Sequence, residues 1–404
     1  MTRRDFAAAA GYTATALGYQ ANETLNIGCI GAGGRCRALM KSLRKISGVR
    51  LAAVCDIWET NRQRGRELAD PKASVTADFR AILDRKDIDA VVIGAPDHWH
   101  APMTIAACEA GKDVYVEKPM THDLSEGKAV IAAQNRSQRI VQVGMQQRSM
   151  PHIVKGYELI RSGAIGRIYK VHLTWNRNAP RGRRPAAVDP STVDWKSFLG
   201  TARQQPFDPY RFRQWRWFWD FGGGLFTDLM VHWVDVAHWY LDLDHPEAAA
   251  SIGDHMAFGG LWETPDTVQT LLQYPGKGVQ VYFEGTFSNQ HNGSMIEFMG
   301  SEATLYIDRG RMEVIPERKR TADGTAVMSD IKAQDLIIGD GPRGADFYTQ
   351  PDGELLHLAH WIECVRSRKK TNTPVEAGVS SASAAHMANL ALRSGQVARW
   401  QAAP

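Results

Sequence analysis

Apolar and polar positions change rhythm along this chain near residue 147. Before it, short apolar runs at 25–30, 49–55, 90–93, 113–116 and 140–143 alternate with amphipathic stretches at 37–46, 102–110 and 124–134. Runs this short and continuous read as strands buried on both faces. The amphipathic stretches supply the crossovers that parallel strands need. The pattern predicts an α/β domain, residues 23–146, with a helix-covered parallel sheet. Beyond it, strand patterns at 168–175, 267–274, 279–286, 295–300 and 304–308 are longer and partly alternating. They predict a C-terminal α+β domain, 147–375, whose open sheet is largely antiparallel or mixed. One sheet face is expected toward solvent, substrate or another subunit. Residues 317–352 are polar and glycine-rich and predict a long loop region. Helices are expected at 357–366 and 380–394, the second burying Ala384, Met387, Leu390 and Ala391. Residues 376–404 form a C-terminal helical unit.

The first strand runs into Gly31, Ala32, Gly33, Gly34, Arg35 and Cys36. A G-x-G turn between a strand and a helix is the dinucleotide-binding fingerprint of a Rossmann domain. Gly31 permits the turn, and Gly33 lets backbone approach a pyrophosphate. Gly34 and Arg35 open the helix whose N–H groups would hold it. Asp56 ends the second strand, where a carboxylate binds the adenosine ribose hydroxyls and repels a 2′-phosphate. NAD is therefore expected over NADP, although Arg62 and Arg64 keep NADP open. Asp56 can also cap a helix.

Lys118 stands at the carboxyl end of a parallel strand, where open α/β sheets bind ligands. A lysine there can hold a substrate hydroxyl and stabilise its oxygen. Asp228, His232 and Asp235 are spaced i, i+4 and i+7, which places them on one helix face. An imidazole beside a carboxylate makes a general acid/base. A metal is not expected, because His238 falls about 240° round the helix from His232. Tyr210, Arg211, Arg213, Trp215, Arg216, Trp217 and Trp219 are either a sugar-stacking surface or a tryptophan-rich core loop. Trp217 and Arg213 are the candidate substrate contacts there. Arg181, Arg183 and Arg184 read as an exposed loop.

Composition narrows the class. At 404 residues two domains are expected. A formal charge of +4 with no dense basic patch argues against nucleic acid. No apolar run approaches the roughly 20 residues of a membrane span. The five cysteines lack paired spacing and read as buried thiols. Arg3 and Arg4 precede Phe6 and a mildly apolar Ala/Gly stretch, so residues 1–21 predict a twin-arginine export signal and a periplasmic location.

These motifs, in this order, resemble the Gfo/Idh/MocA family of glucose–fructose oxidoreductase and inositol dehydrogenase. The resemblance rests on the glycine turn, residues 95–100 (Ala-Pro-Asp-His-Trp-His), Glu117-Lys118-Pro119, and residues 228–235 with Asp228, His232 and Asp235. It covers the chain from about residue 24, and its N-terminal signal resembles exported members. It implies a homo-oligomer with tightly bound NAD, contacted also by Pro96, His100, Glu117 and Lys118. The substrate would be a sugar or cyclitol, with Asp228 and Asp235 among its contacts. His232 would take the hydroxyl proton, while Asp228 holds substrate or orients the imidazole. The bond before Pro119 is often cis in the family, and the terminal helix packs back toward the first domain. Cys36 and Met230 depart from the family's glycines. Two other functions share these residues: a glycosidase that oxidises its sugar transiently, and a non-catalytic sugar-binding protein.

Overall fold

The computed structural model describes residues 24–179, 187–346 and 352–401. The export signal expected at residues 1–21, and Arg181, Arg183 and Arg184, lie outside the described residues.

The first domain forms where the apolar runs predict it. Its strands are β1 (Leu25–Ile30), β2 (Val49–Cys55), β3 (Ser74–Thr76), β4 (Ala90–Ile93), β5 (Asp113–Val116) and β6 (Val141–Val143). All pair in parallel, in the order β3-β2-β1-β4-β5-β6. The chain reverses its direction of travel across the sheet between β1 and β4, which places a ligand crevice at their carboxyl ends. Helices α1 (Gly34–Leu43), α2 (Glu59–Arg66), α3 (Asp97–Glu109) and α4 (Glu126–Ser137) supply crossovers. Helix α3 starts five residues before the expected 102, because Pro96 in extended backbone starts it.

Helix α5 (Pro151–Arg161), absent from the sequence reading, leads into a nine-stranded sheet. Its strands are β7 (Ile168–Asn176), β8 (Ala248–Asp254), β9 (Thr267–Tyr274), β10 (Val279–Thr286), β11 (Ser294–Gly300), β12 (Ala303–Asp308), β13 (Arg311–Pro316), β16 (Gln334–Ile337) and β17 (Ala398–Arg399). The pairs are antiparallel except β7 with β10, so the sheet is mixed and mostly antiparallel, as the alternation predicts. Along β9 every second residue is buried, and the other face stays open with Leu271 and Ile252 exposed. The presumed long loop at 317–352 holds β16 and a small hairpin, β14 (Arg318–Arg320) with β15 (Ala326–Met328). These pieces are too short and polar to show a period.

On the buried face lies helix α6 (Val231–Leu241), entered through a π-turn at Phe226–Met230. Trp175, Trp233, Tyr240, Phe283 and Phe298 share the core between them. Helix α7 (Gly353–Ser367) returns to the first domain: Leu358, Trp361 and Ile362 pack with Ile27, Leu39 and Tyr115. The expected boundary at 375 assigned this helix to the wrong core. Helix α8 (Val375–Ser394) sets Gly378 against Val143 and Met120, while Ala384, Met387 and Ala391 join the second-domain core. Leu390, expected in that core, is exposed. All five cysteines are buried free thiols. Among the described residues, no helix is long and apolar enough to cross a membrane.

Candidate active site

A cavity of about 740 Å³ opens at the carboxyl ends of β1, β2 and β4. Gly31, at φ +77°, makes the turn, and a Cβ there would stand 2.6 Å from Ala95 N, so only glycine is tolerated. A Cβ on Gly33 or Gly34 would meet no protein atom closer than 3.9 Å. It would project instead into the space in front of the α1 N-terminus. That free space, with uncapped N–H groups behind it, fits a dinucleotide pyrophosphate. Cys36 faces the sheet, where its Cβ lies 2.8 Å from the place a Cβ on Gly94 would take. Close helix–strand packing, usually permitted by the third fingerprint glycine, is permitted here by Gly94 from the strand side.

Asp56 sits at the end of β2 in the cavity wall. It accepts hydrogen bonds from the Trp58 amide (2.8 Å) and Asn61 Nδ2 (3.2 Å). Burial nevertheless pushes its carboxyl up to about 6. Arg62 donates to the Asp56 carbonyl (2.9 Å) and so braces the turn, while Arg37, Arg64 and Arg80 line the cavity. Arg213 also lines this end, its guanidinium carbon 5.0 Å from the Trp58 ring centroid. The candidate substrate contact Arg213 thus belongs beside the adenosine end. The second domain carries it there on a segment tied down by a Trp58–Val193 bridge and by Asp194 N–H bonded to Ile57 O.

Three further assignments change. Pro96 lines the cavity, but His100 is buried beneath it, its ring nitrogens 2.7 Å from Pro119 O and 2.8 Å from Ala95 O. It braces two ligand-bearing loops and has no free edge for a cofactor. Trp217 is buried in a stack on Trp262, with centroids 4.3 Å apart, and offers no face to a sugar. Trp215 lines the cavity instead. Asp235 is fully buried and bidentate to Arg148, at 2.8 Å for each bond, so it is a core ion pair and not a substrate ligand. The expected common face of Asp228, His232 and Asp235 fails because Arg148, on the turn Gln146–Ser149, claims Asp235. Met230, at the family's glycine position, is fully buried in the core.

Lys118, Asp228 and His232 do come together. Lys118 lies two residues beyond β5, precedes Pro119 in a cis bond, and donates to Asp228 O (2.7 Å) and Oδ1 (2.9 Å). Arg216, which lines the cavity, donates Nε to the same Oδ1 (3.1 Å). Burial opposes ionisation of Asp228, but Lys118 and Arg216 outweigh it and hold the carboxyl well below the usual range. His232 follows on α6, its ring centroid 5.2 Å from that of Trp175. Burial, then Lys118 and Arg309, keep its imidazole neutral. Its Nδ1 is buried without a partner among the described residues. Glu117 holds Arg35 (2.8 Å), and Arg35 also meets Glu354 on α7. Arg35 lines the cavity, so Glu117 acts on the cofactor cleft by orienting it.

Sequence reading passed over several groups here. Asp97, at the start of α3, is buried and raised to about 7, burial outweighing Lys118 and Arg216. Arg177, Arg309 and Trp175 come from the second domain; no motif singles them out. His238, weighed above as a metal ligand, bonds Ser380 and Tyr274 instead. Among the described residues, no three His, Cys, Asp or Glu side chains are grouped to hold a metal.

A dinucleotide cleft at the carboxyl end of a parallel sheet, with Lys118, Asp228 and His232 on the elements that follow, is the arrangement of an NAD-dependent oxidoreductase. The chain belongs to the Gfo/Idh/MocA family. Residues 25–145 match its "Oxidoreductase family, NAD-binding Rossmann fold", and residues 153–306 match the "GFO/IDH/MocA C-terminal domain". It is similar to the scyllo-inositol 2-dehydrogenase (NAD(+)) of Bacillus subtilis, 26% identical over 339 residues, 82% of each protein. Inositol 2-dehydrogenase 2 of Saccharopolyspora erythraea is 34% identical over 172 residues, 42% of this chain and 50% of that protein, so the match spans half the relative's length. Among solved structures, levoglucosan dehydrogenase in complex with NADH and L-sorbose shares the fold, with TM-score 0.71 and 19% identity, covering 93% of this chain and 99% of that one.

Proposed function

We propose that this protein uses NAD to oxidise or reduce a hydroxyl-bearing carbon of a sugar, cyclitol or related compound. The observation that carries this reading is the contact of Lys118 with Asp228 one helical turn from His232, beside the nucleotide cleft. Bound NAD supplies hydride acceptance at the nicotinamide. His232, neutral in the resting site, accepts the carbinol proton. Lys118 stabilises the oxygen as charge develops, and Asp228 holds Lys118 in place while its second oxygen can take a neighbouring hydroxyl. The relatives acting on inositol and levoglucosan support a polyhydroxylated substrate. The Arg3–Arg4 segment supports export with the nucleotide already bound, and the open sheet face supports assembly with further copies.

The test is to incubate purified protein with free sugars, cyclitols and glycosides, with and without added NAD. Nicotinamide absorbance and product masses are followed together. Stoichiometric reduction by a free sugar or cyclitol is expected. Catalytic release of aglycone without a lasting absorbance change would replace this reading with the transient-oxidation glycosidase. Silence across the panel, with NAD bound, would favour a sugar-binding protein.

A further inference from the structure

A segment of the second domain lies across the cofactor cleft. Arg213 stands over the Trp58 ring, just beyond β2. Three residues later Arg216 donates Nε to Asp228, the partner of Lys118 beyond β5. In the strand order β2-β1-β4-β5 these anchor points are three strand spacings apart, about 14 Å. The segment therefore crosses the carboxyl ends of β1 and β4, and Arg213, Trp215 and Arg216 all line the cavity. Gly222 lets the main chain sit there: a Cβ on it would stand 2.9 Å from Arg216 Cα.

A dinucleotide running from Asp56 to Lys118 carries its pyrophosphate past the α1 N-terminus, between those anchor points. The α1 amides amount to about half a positive charge, well short of what a pyrophosphate brings. Most arginines that line the cavity are already engaged. Arg35 is held by Glu117 and Glu354, Arg37 by Ala32 O and Asn61, and Arg80 by Asp78. Arg64, on α2, and Arg213 belong to the adenosine end. Arg216 differs. Its guanidinium carbon lies 4.2 Å from the Trp215 ring centroid, and its Nε is fixed on Asp228 (3.1 Å), so the group is oriented before a ligand arrives. Neither of its terminal nitrogens has a polar partner among the described residues.

We propose that Arg216 is the second domain's ligand for the cofactor pyrophosphate, its terminal nitrogens taking phosphate oxygens while Nε stays on Asp228. The inference rests on the dinucleotide reading of the cleft and extends that cleft to the second domain. The pyrophosphate is held from both domains, by the α1 amides and by Arg216. One guanidinium then supports both the cofactor and the carboxylate that holds Lys118, which makes Arg216 a positioning residue for that pair. Arginine suits the bridge because its fork offers separate N–H groups to two anionic partners. Lysine has a single nitrogen and must share it.

The test is calorimetric titration of the full chain, freed of nucleotide, with ADP, ADP-ribose and NAD. ADP and ADP-ribose carry the pyrophosphate but cannot take a hydride, so binding is read apart from turnover. Arg216→Gln should weaken all three by a common factor of roughly 10- to 100-fold, the worth of charge-assisted hydrogen bonds, while the melting temperature without ligand holds. Arg216→Lys should recover part of the loss. Wild-type affinities in Arg216→Gln would overturn the proposal. So would a loss for ADP-ribose and NAD that spares ADP, which would move Arg216 to the nicotinamide ribose. Full recovery by lysine would remove the bridge, and no recovery would leave a merely structural role; either result overturns it. If Arg216→Gln melts early, Arg216→Lys carries the test alone, and wild-type affinity for the three ligands in that variant overturns the proposal. A wild-type protein that binds none of the three would overturn this inference and the dinucleotide reading together. One that binds them through Arg216 yet oxidises no sugar or cyclitol would sink the oxidoreductase reading and leave this one standing.

Discussion

Removing the Asp235 carboxylate separates a structural ion pair from a substrate contact. Asp235 is fully buried, and the Arg148 side chain is 8% exposed. Asp235→Ala leaves that guanidinium with its bond to Asn372 O (3.1 Å) and its place over the Trp239 ring, but without a counter-charge. Breaking a buried pair from one side costs about 3–5 kcal/mol. A folded protein has only about 5–15 kcal/mol to lose, so the urea midpoint should fall by roughly a fifth or more. Replacing both partners, Arg148→Met with Asp235→Leu, removes the stranded charge and should recover much of the loss. Urea unfolding followed by tryptophan fluorescence measures both variants, and steady-state kinetics on the folded fraction measures KM. Asp235→Ala should change KM by less than about tenfold, since the carboxylate touches Arg148 and not the cavity. A variant of normal stability with a much weaker KM would refute the reasoning and return Asp235 to the substrate.

Lys118→Ala and His232→Ala should each lower turnover by roughly 10²- to 10⁴-fold, with NAD affinity nearly unchanged in direct titration; wild-type turnover in either would end its assigned role. NAD should bind more tightly than NADP, and Asp56→Asn should narrow the gap in the same titration; tighter NADP binding by wild type would remove Asp56 as the ribose ligand. Asp97 binds its proton more tightly folded (about 7) than unfolded (3.8), so its contribution to stability falls as pH rises between those values. Thermal melts of Asp97→Asn across pH 4–7 should lack that decline; an identical pH profile would contradict it. Replacing Arg3 and Arg4 by Lys should retain the protein in the cytoplasm on fractionation, and continued export would defeat the twin-arginine reading.

The motif residues and the sheet class were legible because each depends on local physics. Gly31 is required by a backbone turn, and β9 alternates because one sheet face is buried. Arg148 carried no such signal. Its partner is 87 residues away, and an isolated arginine in a polar stretch reads as solvated charge. His100 and Asp235 misled for a related reason: a motif shows that a polar residue is needed, but not whether it faces ligand or backbone. Trp217 and Trp215 are two residues apart in one aromatic stretch, and only the turn between them decides which is stacked in the core.

By itself the sequence determined the Rossmann sheet, the dinucleotide turn and the candidate trio Lys118, Asp228 and His232. Strand runs, glycine turns and helical spacing are all written within a few residues of chain. Tertiary structure alone decided which charges share a site. It placed Arg213 at the adenosine end, buried Asp235 on Arg148, and brought Arg177 and Arg309 to Trp175 beside His232. Electrostatic energy depends on distance through space and on exclusion of water, and the chain acquires both only when its two domains close on one another.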